Sequence, residues 1–112
     1  MRQHYHPPLD EITVEGLLYA LSDPVRVGLM AQIRSSDSPQ SCCSLAGLAG
    51  ADLPKSTLSQ HFKVLREAGL IRSERKGVAL QNSPRCEELR PRFGSMIDAI
   101  LHAYAAQNDK NK

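Results

Sequence analysis

Large aromatic side chains are scarce in this sequence: Phe, Tyr and Trp make up only 4% of its 112 residues, and tryptophan is absent. A core with so few rings has to be built from Leu, Ile, Val, Ala and Met, which suits a bundle of short helices better than a β-sandwich. The apolar content of 41% and the charged content of 23% are ordinary for a globular protein. The length fits a single domain, because so short a chain has too few residues for a second core.

The sequence also lacks a long hydrophobic run and a disulfide framework. No apolar stretch approaches the length of a membrane span, and the first residues lead into no signal-peptide core. The three cysteines, Cys42, Cys43 and Cys86, are odd in number and have no framework spacing, which is typical of free thiols in a reducing compartment. We therefore expect a cytoplasmic protein with no membrane partner.

The net charge is only +2, but it is unevenly distributed along the chain. Between Leu53 and Arg85 there are seven basic and two acidic residues, a local net charge of +5, and the rest of the chain is at −3. A basic block on a near-neutral chain is typical of a DNA-facing surface. A solvated, charged helix and hairpin would give the same pattern, so charge alone does not decide between the two.

The apolar pattern predicts a mainly α fold with one small β-hairpin. Residues 1–8 are predicted to form a flexible arm, residues 9–106 one domain, and residues 107–112 a polar, frayed tail. A first helix is expected from about Leu9 to Leu21. Its apolar face, at i, i+3, i+4 and i+7, is formed by Val14, Leu17, Leu18 and Leu21.

Helix-starting and turn-forming residues divide the middle of the chain. Asp23 is expected to cap a second helix that begins at Pro24, where the missing N–H costs nothing. That helix ends in a loop at residues 35–39, which is rich in Ser, Asp and Pro. A short helix is expected from Cys42 to about Ala49, followed by a turn at residues 51–54.

The second half of the chain begins with a longer helix, from at or near Pro54 to Gly69, a candidate left-handed C-cap. A hairpin is predicted next, with strands at residues 70–74 and 78–82 and a charged tip between them. A last helical region begins near Arg85. Its apolar stripe is formed by Phe93, Ile97, Ile100, Leu101 and Tyr104.

The longer helix has two distinct faces. At about 100° per residue, Leu58, Phe62 and Leu65 cluster on one side. Gln can pair with adenine through two hydrogen bonds, Ser and Thr can contact bases or phosphates, and Lys can reach phosphate or guanine. We therefore predict that the polar residues opposite the apolar side and at the N-terminal end bind DNA: Lys55, Ser56, Thr57, Ser59, Gln60 and Lys63.

The order of the elements predicts a winged helix-turn-helix: a short helix, a tight turn, the polar-faced helix and a basic hairpin. In that setting Arg72, Arg75 and Lys76 of the hairpin are predicted to contact the phosphates of double-stranded DNA. A generic three-helix domain could imitate this order. His61 lies on the flank of the apolar face and is expected to pack or to bond a backbone group rather than to contact bases or metal.

This sequence resembles the ArsR family of winged-helix repressors in three segments, ALSDPVRVGLM, LPKSTLSQHFKVLREAGLI and RKGVALQNS. The resemblance covers roughly residues 12–104 and is strongest from Leu53 to Ile71. The residues that match the family's Asp-Pro-x-Arg and Ser-x-His-x-x-x-Leu patterns are Asp23, Pro24 and Arg26, and Ser59, His61 and Leu65. The resemblance implies a homodimer, joined through the first and last helices, that binds an inverted-repeat operator and represses a nearby promoter.

The apolar stripe of the last helix agrees with a homodimer. It is longer than a small monomer of this size needs, and the first helix offers a matching apolar face. We predict that residues of these two helices form the dimer interface: Leu17, Leu21, Phe93, Ile97, Ile100, Leu101 and Tyr104.

The cysteines leave two hypotheses open. Many ArsR-type proteins bind metals through a Cys-x-Cys pair or through Asp-x-His and a later His pair, but here Cys42 and Cys43 are adjacent and no His follows His102. We therefore expect no metal or other cofactor. Cys42 shares the apolar face of its short helix with Leu45 and Ala49, so it is expected to be buried and structural. In the alternative, Cys42, Cys43 and Cys86 hold a thiophilic ion or act as a redox switch that releases DNA.

An enzyme is not expected, because the sequence offers no Ser-His-Asp set, Gly-rich phosphate loop or paired carboxylates. A cysteine peroxidase is the remaining enzymatic alternative, and rapid turnover of peroxide by the purified protein would distinguish it. A third hypothesis is an interaction module that kept the fold and lost DNA binding. Duplex binding that persists in the presence of nonspecific competitor would exclude this hypothesis.

Overall fold

The computed structural model describes residues 5–41, 45 and 53–110. Its α-helices and strands are, in chain order, α1 (Val14–Ala20), α2 (Pro24–Ser35), β1 (Gln40–Ser41), α3 (Lys55–Ala68), β2 (Ile71–Lys76), β3 (Ala79–Pro84) and α4 (Cys86–Lys110). A 3₁₀ helix, Leu9–Glu11, precedes α1. The short helix predicted at residues 42–49 lies outside the described residues, apart from Leu45, which is buried. The predicted mainly α fold with a β-hairpin is confirmed.

The first α-helix begins five residues later than predicted, because two residues before it have extended backbone. Ile12 turns its side chain into the core, and Thr13 caps α1 by accepting a hydrogen bond from Gly16 N at 3.0 Å. The predicted apolar face is also partly wrong. Val14 and Leu18 are 46% and 48% exposed, whereas Leu17 is fully buried.

The segment before α1 contacts the domain, where a flexible arm was predicted over residues 1–8. His6 Nε2 accepts a hydrogen bond from Ser73 N of β2 at 2.9 Å, and Pro7 is buried. The carbonyl of Pro7 accepts from Arg85 Nη1 at 2.8 Å. These contacts hold His6 and Pro7 against the hairpin and the residue that follows it; residues 1–4 lie outside the described part of the chain.

The predicted helix ends in the middle of the chain are confirmed. Asp23 Oδ1 accepts from Val25 N at 2.8 Å, and Pro24 occupies the first turn of α2. At the end of α3, Gly69 has a φ of 93°, and its N–H bonds to the carbonyls of the last turn. A left-handed residue there lets the chain reverse directly into β2.

The strands form an antiparallel sheet in the order β1-β3-β2. The hairpin register runs from Ile71 opposite Pro84 to Lys76 opposite Ala79, so both strands are longer than predicted. Gly77, with a φ of 62°, begins the two-residue turn. Strand β1 was not predicted, because its two residues, which pair with β3 at Asn82 and Gln81, are too few to show a period.

The last helix closes the core and is longer than predicted. Its residues Phe93, Ile97 and Leu101 belong to the same buried cluster as side chains of α1, α2 and α3. The helix continues to Lys110, where a frayed tail was predicted from residue 107, because neither Gly nor Pro follows Gly94 to end it. Among the described helices none is both long enough and apolar enough to cross a membrane.

Candidate nucleic-acid interface

Helix α3 turns one face into the core and the opposite face to solvent. Leu58, Phe62 and Leu65 are buried, as the sequence pattern predicted. The burial of these side chains fixes the rotation of the helix, since a turn of half a circle would expose all three. The side chains that were predicted to bind DNA are all exposed: Lys55, Ser56, Thr57, Ser59, Gln60 and Lys63.

The N-terminal end of α3 suits an anion. Its first turn contains Lys55 and no acidic residue, and Pro54 provides no side-chain cap. The first N–H groups of a helix carry a partial positive charge and lack partners within the helix. A phosphate oxygen can accept hydrogen bonds from them.

The hairpin carries its basic residues near the turn. Arg75 and Lys76 end β2 and are exposed, and Val78 in the turn is 98% exposed. Arg75 Nη1 lies 3.5 Å from the carbonyl of Val78, so this side chain stays at the tip. The tip therefore presents two cations to solvent, at the end of the hairpin opposite its connection to α3.

Arg72 differs from the other two hairpin cations. Its Nη2 pairs with Glu88 Oε2 of α4 at 3.1 Å, and its side chain is only partly exposed. Alternation along a strand places the side chains of Arg72 and Arg75 on opposite faces of β2. The structure therefore separates Arg72 from the tip cation Arg75 and gives it a structural partner.

Two further basic residues of the charged block are buried. Arg85 donates to Glu88 through Nε and Nη2 at 3.1 and 3.0 Å, and to the carbonyl of Pro7. Arg66 donates to the hydroxyl of Ser73 at 3.1 Å. The local charge of +5 therefore overstates the positive charge that is exposed to solvent, because the side chains of Arg66 and Arg85 are buried.

His61 contacts a guanidinium rather than a backbone group. Its Nδ1 lies 3.3 Å from Arg26 Nη1, and since Arg has no acceptor, the histidine nitrogen accepts. The predicted backbone partner of His61 is therefore replaced by the side chain of Arg26. Sequence reasoning noted Arg26 only within the Asp-Pro-x-Arg pattern, and the burial of that arginine had no other sequence signal.

The residues predicted for the dimer interface are mostly covered by the chain itself. Phe93, Ile97 and Leu101 are at most 9% exposed, and Leu17 and Leu21 of the first helix region are equally buried. Their spacing reflects the core, which uses the same helical period as an interface. The remaining predicted residues, Ile100 and Tyr104, are half-buried. The exposed apolar side chains of α1 are Val14, Leu18 and Tyr19.

Among the cysteines only Cys86 belongs to the described residues. It is the first residue of α4 and is half-buried against the core, and this burial raises the pKa of its thiol. The predictions for Cys42 and Cys43 fall outside the described residues. Within residues 5–41, 45 and 53–110, no three His, Cys, Asp or Glu side chains come together as a metal site.

Known DNA-binding regulators share this architecture. A family model described as a helix-turn-helix domain matches residues 21–74. The crystal structure of the repressor BigR from Xylella fastidiosa superposes with a TM-score of 0.61 at 26% identity, over 80% of this chain and 84% of that one. The structure of an ArsR family transcriptional regulator gives a TM-score of 0.60 at 21% identity, over 87% and 92% of the two chains, and supports the fold alone.

A curated relative decides the family. The HTH-type transcriptional repressor SmtB from Mycobacterium tuberculosis is 35% identical over 98 residues, which are 87% of this chain and 67% of that protein. The chain belongs to the ArsR family. This family consists of DNA-binding winged-helix repressors and not of enzymes, so the predicted fold, family and regulatory class are confirmed. By their place in the winged helix-turn-helix fold, α3 is the helix called the recognition helix, and the β2–β3 hairpin that follows it is the wing.

Proposed function

We propose that the protein binds an inverted-repeat operator as a homodimer and represses a nearby promoter from the cytoplasm. The observation that carries this proposal is the exposed polar face of α3, held in place by its buried residues Leu58, Phe62 and Leu65. An α-helix fits the major groove of B-DNA, and its exposed side chains then meet the base edges.

The exposed residues of α3 have different roles in this proposal. Gln60 pairs with adenine through two hydrogen bonds, and Lys63 reaches a guanine or a phosphate. Lys55, Ser56, Thr57 and Ser59, at or near the N-terminal end, contact phosphates and base edges.

The wing holds the phosphate backbone in this proposal. Arg75 and Lys76 stand at its exposed tip and contribute charge without reading sequence. Arg72, which was predicted to act with them, is paired with Glu88, so we assign it a smaller share of the phosphate contact.

The exposed side chains of α1 support the homodimer. Val14, Leu18 and Tyr19 are 46%, 48% and 63% exposed, although each is largely apolar. Ile100 and Tyr104 of α4 are half-buried and can be covered further by a partner. We propose that α1 and the second half of α4 form a two-fold interface, because burial of such side chains favours association.

Sedimentation and DNA selection test this proposal. The purified protein is sedimented at micromolar concentration, and a random duplex pool is selected with it in the presence of nonspecific competitor. We expect a dimer and a two-fold symmetric consensus whose half-sites lie about 34 Å apart, one helical turn. Monomer alone, with no duplex that survives competitor, would contradict the proposal and favour an interaction module.

A charge placed on the exposed face of α1 tests the dimer interface without changing the core. Leu18→Glu is expected to shift the sedimenting species to monomer and to weaken binding to the selected duplex. Ala31→Glu, on the exposed side of α2, is the matched control for an added carboxylate. If both variants stay dimeric, the partner surface is not the exposed face of α1.

A further inference from the structure

A chain of buried polar groups joins the recognition helix to the sheet. Arg66 Nη1 in the last turn of α3 donates to Ser73 Oγ of β2 at 3.1 Å. Ser73 Oγ donates to Asn82 Oδ1 of β3 at 2.7 Å, and Asn82 Nδ2 donates to the carbonyl of Gln40 in β1 at 3.1 Å. Ser73 and Asn82 are 3% and 0% exposed, and Arg66 is 8% exposed.

The two ends of this chain together fix the direction of its hydrogen bonds. Arg has donors only, so the hydroxyl of Ser73 accepts from Arg66 and gives its own proton to Asn82. The backbone carbonyl of Gln40 can only accept, so the amide nitrogen of Asn82 faces it and the amide oxygen faces the hydroxyl of Ser73. The bond from Arg66 to Ser73 crosses from α3 to β2, so a different angle between α3 and the sheet would lengthen or bend it.

Apolar contacts alone would not fix this angle so closely. The wing leaves α3 through Gly69 and Leu70, and the buried Leu70 and Ile71 hold its base by contacts that have little directional preference. Hydrogen bonds in a buried site are directional, and leaving one unmade costs free energy. Ser73 lies beyond the apolar base, on the way to the tip, where such a bond has the most influence on the tilt of the hairpin.

The tilt matters because the DNA-facing cations lie beyond Ser73. Lys76 is three residues farther along β2, about 10 Å at the usual rise of a strand. A small rotation at Ser73 therefore moves the tip cations relative to α3. When both elements bind one duplex, the distance between the recognition helix and the wing tip has to match the distance between the major groove and the phosphates.

We propose that Arg66, Ser73 and Asn82 are positioning residues, which hold the wing at the angle to α3 that lets Arg75 and Lys76 reach the phosphates while α3 occupies the major groove. None of the three touches the DNA. The proposal rests on the proposed function, because it assigns the wing its geometry in the same DNA complex.

A double-mutant cycle tests the proposal. The dissociation constant for the selected duplex is measured over a range of salt concentrations for the wild type, for Ser73→Ala, for Arg75→Ala with Lys76→Ala, and for the combination of all three changes. Ser73→Ala should weaken binding severalfold and lower the slope of log affinity against log salt by about 0.9 for each phosphate that the wing no longer neutralises. In the protein without the two tip cations, Ser73→Ala should change affinity less than twofold.

Two further variants isolate the hydroxyl. Ser73→Thr keeps the hydroxyl, so its affinity and salt slope should equal those of the wild type. Ser83→Ala, which removes a hydroxyl from the other strand of the hairpin, should behave as the wild type. Thermal unfolding shows whether each variant is folded; if Ser73→Ala is not, Ser73→Cys, nearly the same size with only a weak S–H donor, replaces it.

The outcomes separate this inference from the proposed function. Equal losses from Ser73→Ala with and without the tip cations would overturn the inference, because the hydroxyl would then act on α3 or on general stability. Normal DNA binding by folded Ser73→Ala would overturn it as well, while a weaker complex on removing Arg75 and Lys76 would leave the proposed function standing. Unchanged binding on removing those two cations would contradict the proposed wing contact itself.

Discussion

Arg26 of α2 and His61 of α3 meet through Nη1 and Nδ1 at 3.3 Å, in a contact between two helices far apart in sequence. The same guanidinium donates from Nε to the carbonyl of Ala20 at 2.8 Å and from Nη2 to that of Tyr19 at 3.1 Å. It also lies over the ring of Tyr19, 5.2 Å from the centroid. One buried side chain thus connects the end of α1, next to the proposed dimer surface, with the middle of the recognition helix.

Arg26→Met is expected to lower the free energy of unfolding by about 1.5–3 kcal/mol, since the variant cannot form the bonds of a charged group. The carbonyl of Ala20 loses the donor Arg26 Nε, whereas that of Tyr19 still accepts from Ser22. Urea denaturation measures this value. Arg90→Met is the matched control, because Arg90 pairs with Glu87 on the exposed surface of α4 and should contribute less than about 1 kcal/mol. Equal urea midpoints for the two variants would mean that the buried contacts of Arg26 contribute no more than a surface pair.

Gly69→Ala should destabilise the junction between recognition helix and wing. The φ of 93° is strained for a residue with a Cβ, and that atom would meet Ile12 Cδ1 and lie 2.7 Å from Ile12 Cγ1. The strain alone costs about 1–2 kcal/mol, and the contact with Ile12 adds to it. Gly77→Ala is the control, because its φ is 62° but its Cβ would have no neighbour within 4 Å. Chemical denaturation should show the larger loss at Gly69; equal losses would exclude a contribution from Ile12.

Local signals account for the elements that the sequence predicted well. The cap at Asp23, the end of α3 at Gly69 and the two faces of α3 each depend on residues within a few positions of one another. Such features follow from backbone sterics, capping and helical period, which act before any long-range contact is known.

Features that depend on long-range contacts had no such signal. Leu17 and Leu18 are equally apolar neighbours about 100° apart on a helix, and only the packing of α1 decides that one is buried and the other exposed. The chain from Arg66 through Ser73 to Asn82 joins residues on three separate elements. No period in the sequence marks these polar residues as buried, and surface Arg, Ser and Asn are the usual expectation.

Base recognition is expected to depend on Gln60, whereas the affinity for phosphates is expected to depend on the positive charge of the wing. Gln60→Ala should weaken binding to the selected duplex by about 1–3 kcal/mol, if Gln60 pairs with adenine, and leave binding to random DNA nearly unchanged. Arg75→Ala should instead weaken binding to the selected duplex and to random DNA to a similar degree. It should also flatten the dependence of affinity on salt concentration. Gln107→Ala, exposed on α4, is the control. Competition titrations measure both affinities. An unchanged affinity and base preference in Gln60→Ala would show that α3 enters the groove with another face.

Glu88 is expected to contribute to stability at neutral pH and to lose that contribution in acid. Hydrogen bonds from Arg85, and then from Arg72, hold the pKa of Glu88 below its ordinary value of 4.5. The unfolded chain therefore takes up the proton first, so the contribution is complete above pH 4.5 and disappears as the pH falls through the lower pKa of the folded state. The carboxylate is partly exposed, and solvent screening keeps the effect small.

Urea denaturation of the wild type and Glu88→Gln across this pH range measures the effect. The difference in free energy of unfolding should be largest near neutral pH and should close in acid. Glu87→Gln is the control, because Glu87 pairs with Arg90 on the open surface. A difference that stays constant with pH would show that the pairs of Glu88 with Arg85 and Arg72 do not favour its charged form.

DNA binding is expected to be independent of the thiols. The thiolate is the form of cysteine that reacts with oxidants and binds metal ions, and burial raises the pKa of Cys86, which lowers the thiolate fraction at neutral pH. Cys86 should therefore react with iodoacetamide more slowly in the folded protein than in urea. Equal rates would show that the fold does not protect this thiol.

The test of function compares the wild type with the triple variant Cys42→Ser, Cys43→Ser and Cys86→Ser, each titrated with the selected duplex alone and with peroxide, zinc or arsenite. We expect similar affinities throughout, because α3 is held in the fold by the burial of Leu58, Phe62 and Leu65 rather than by a thiol. Release of DNA by the wild type on adding one agent, with the triple variant unaffected, would instead make the protein a cysteine-based sensor. The single variant Cys86→Ser would then show which cysteine responds, since release of DNA that persists in this variant must arise at Cys42 or Cys43.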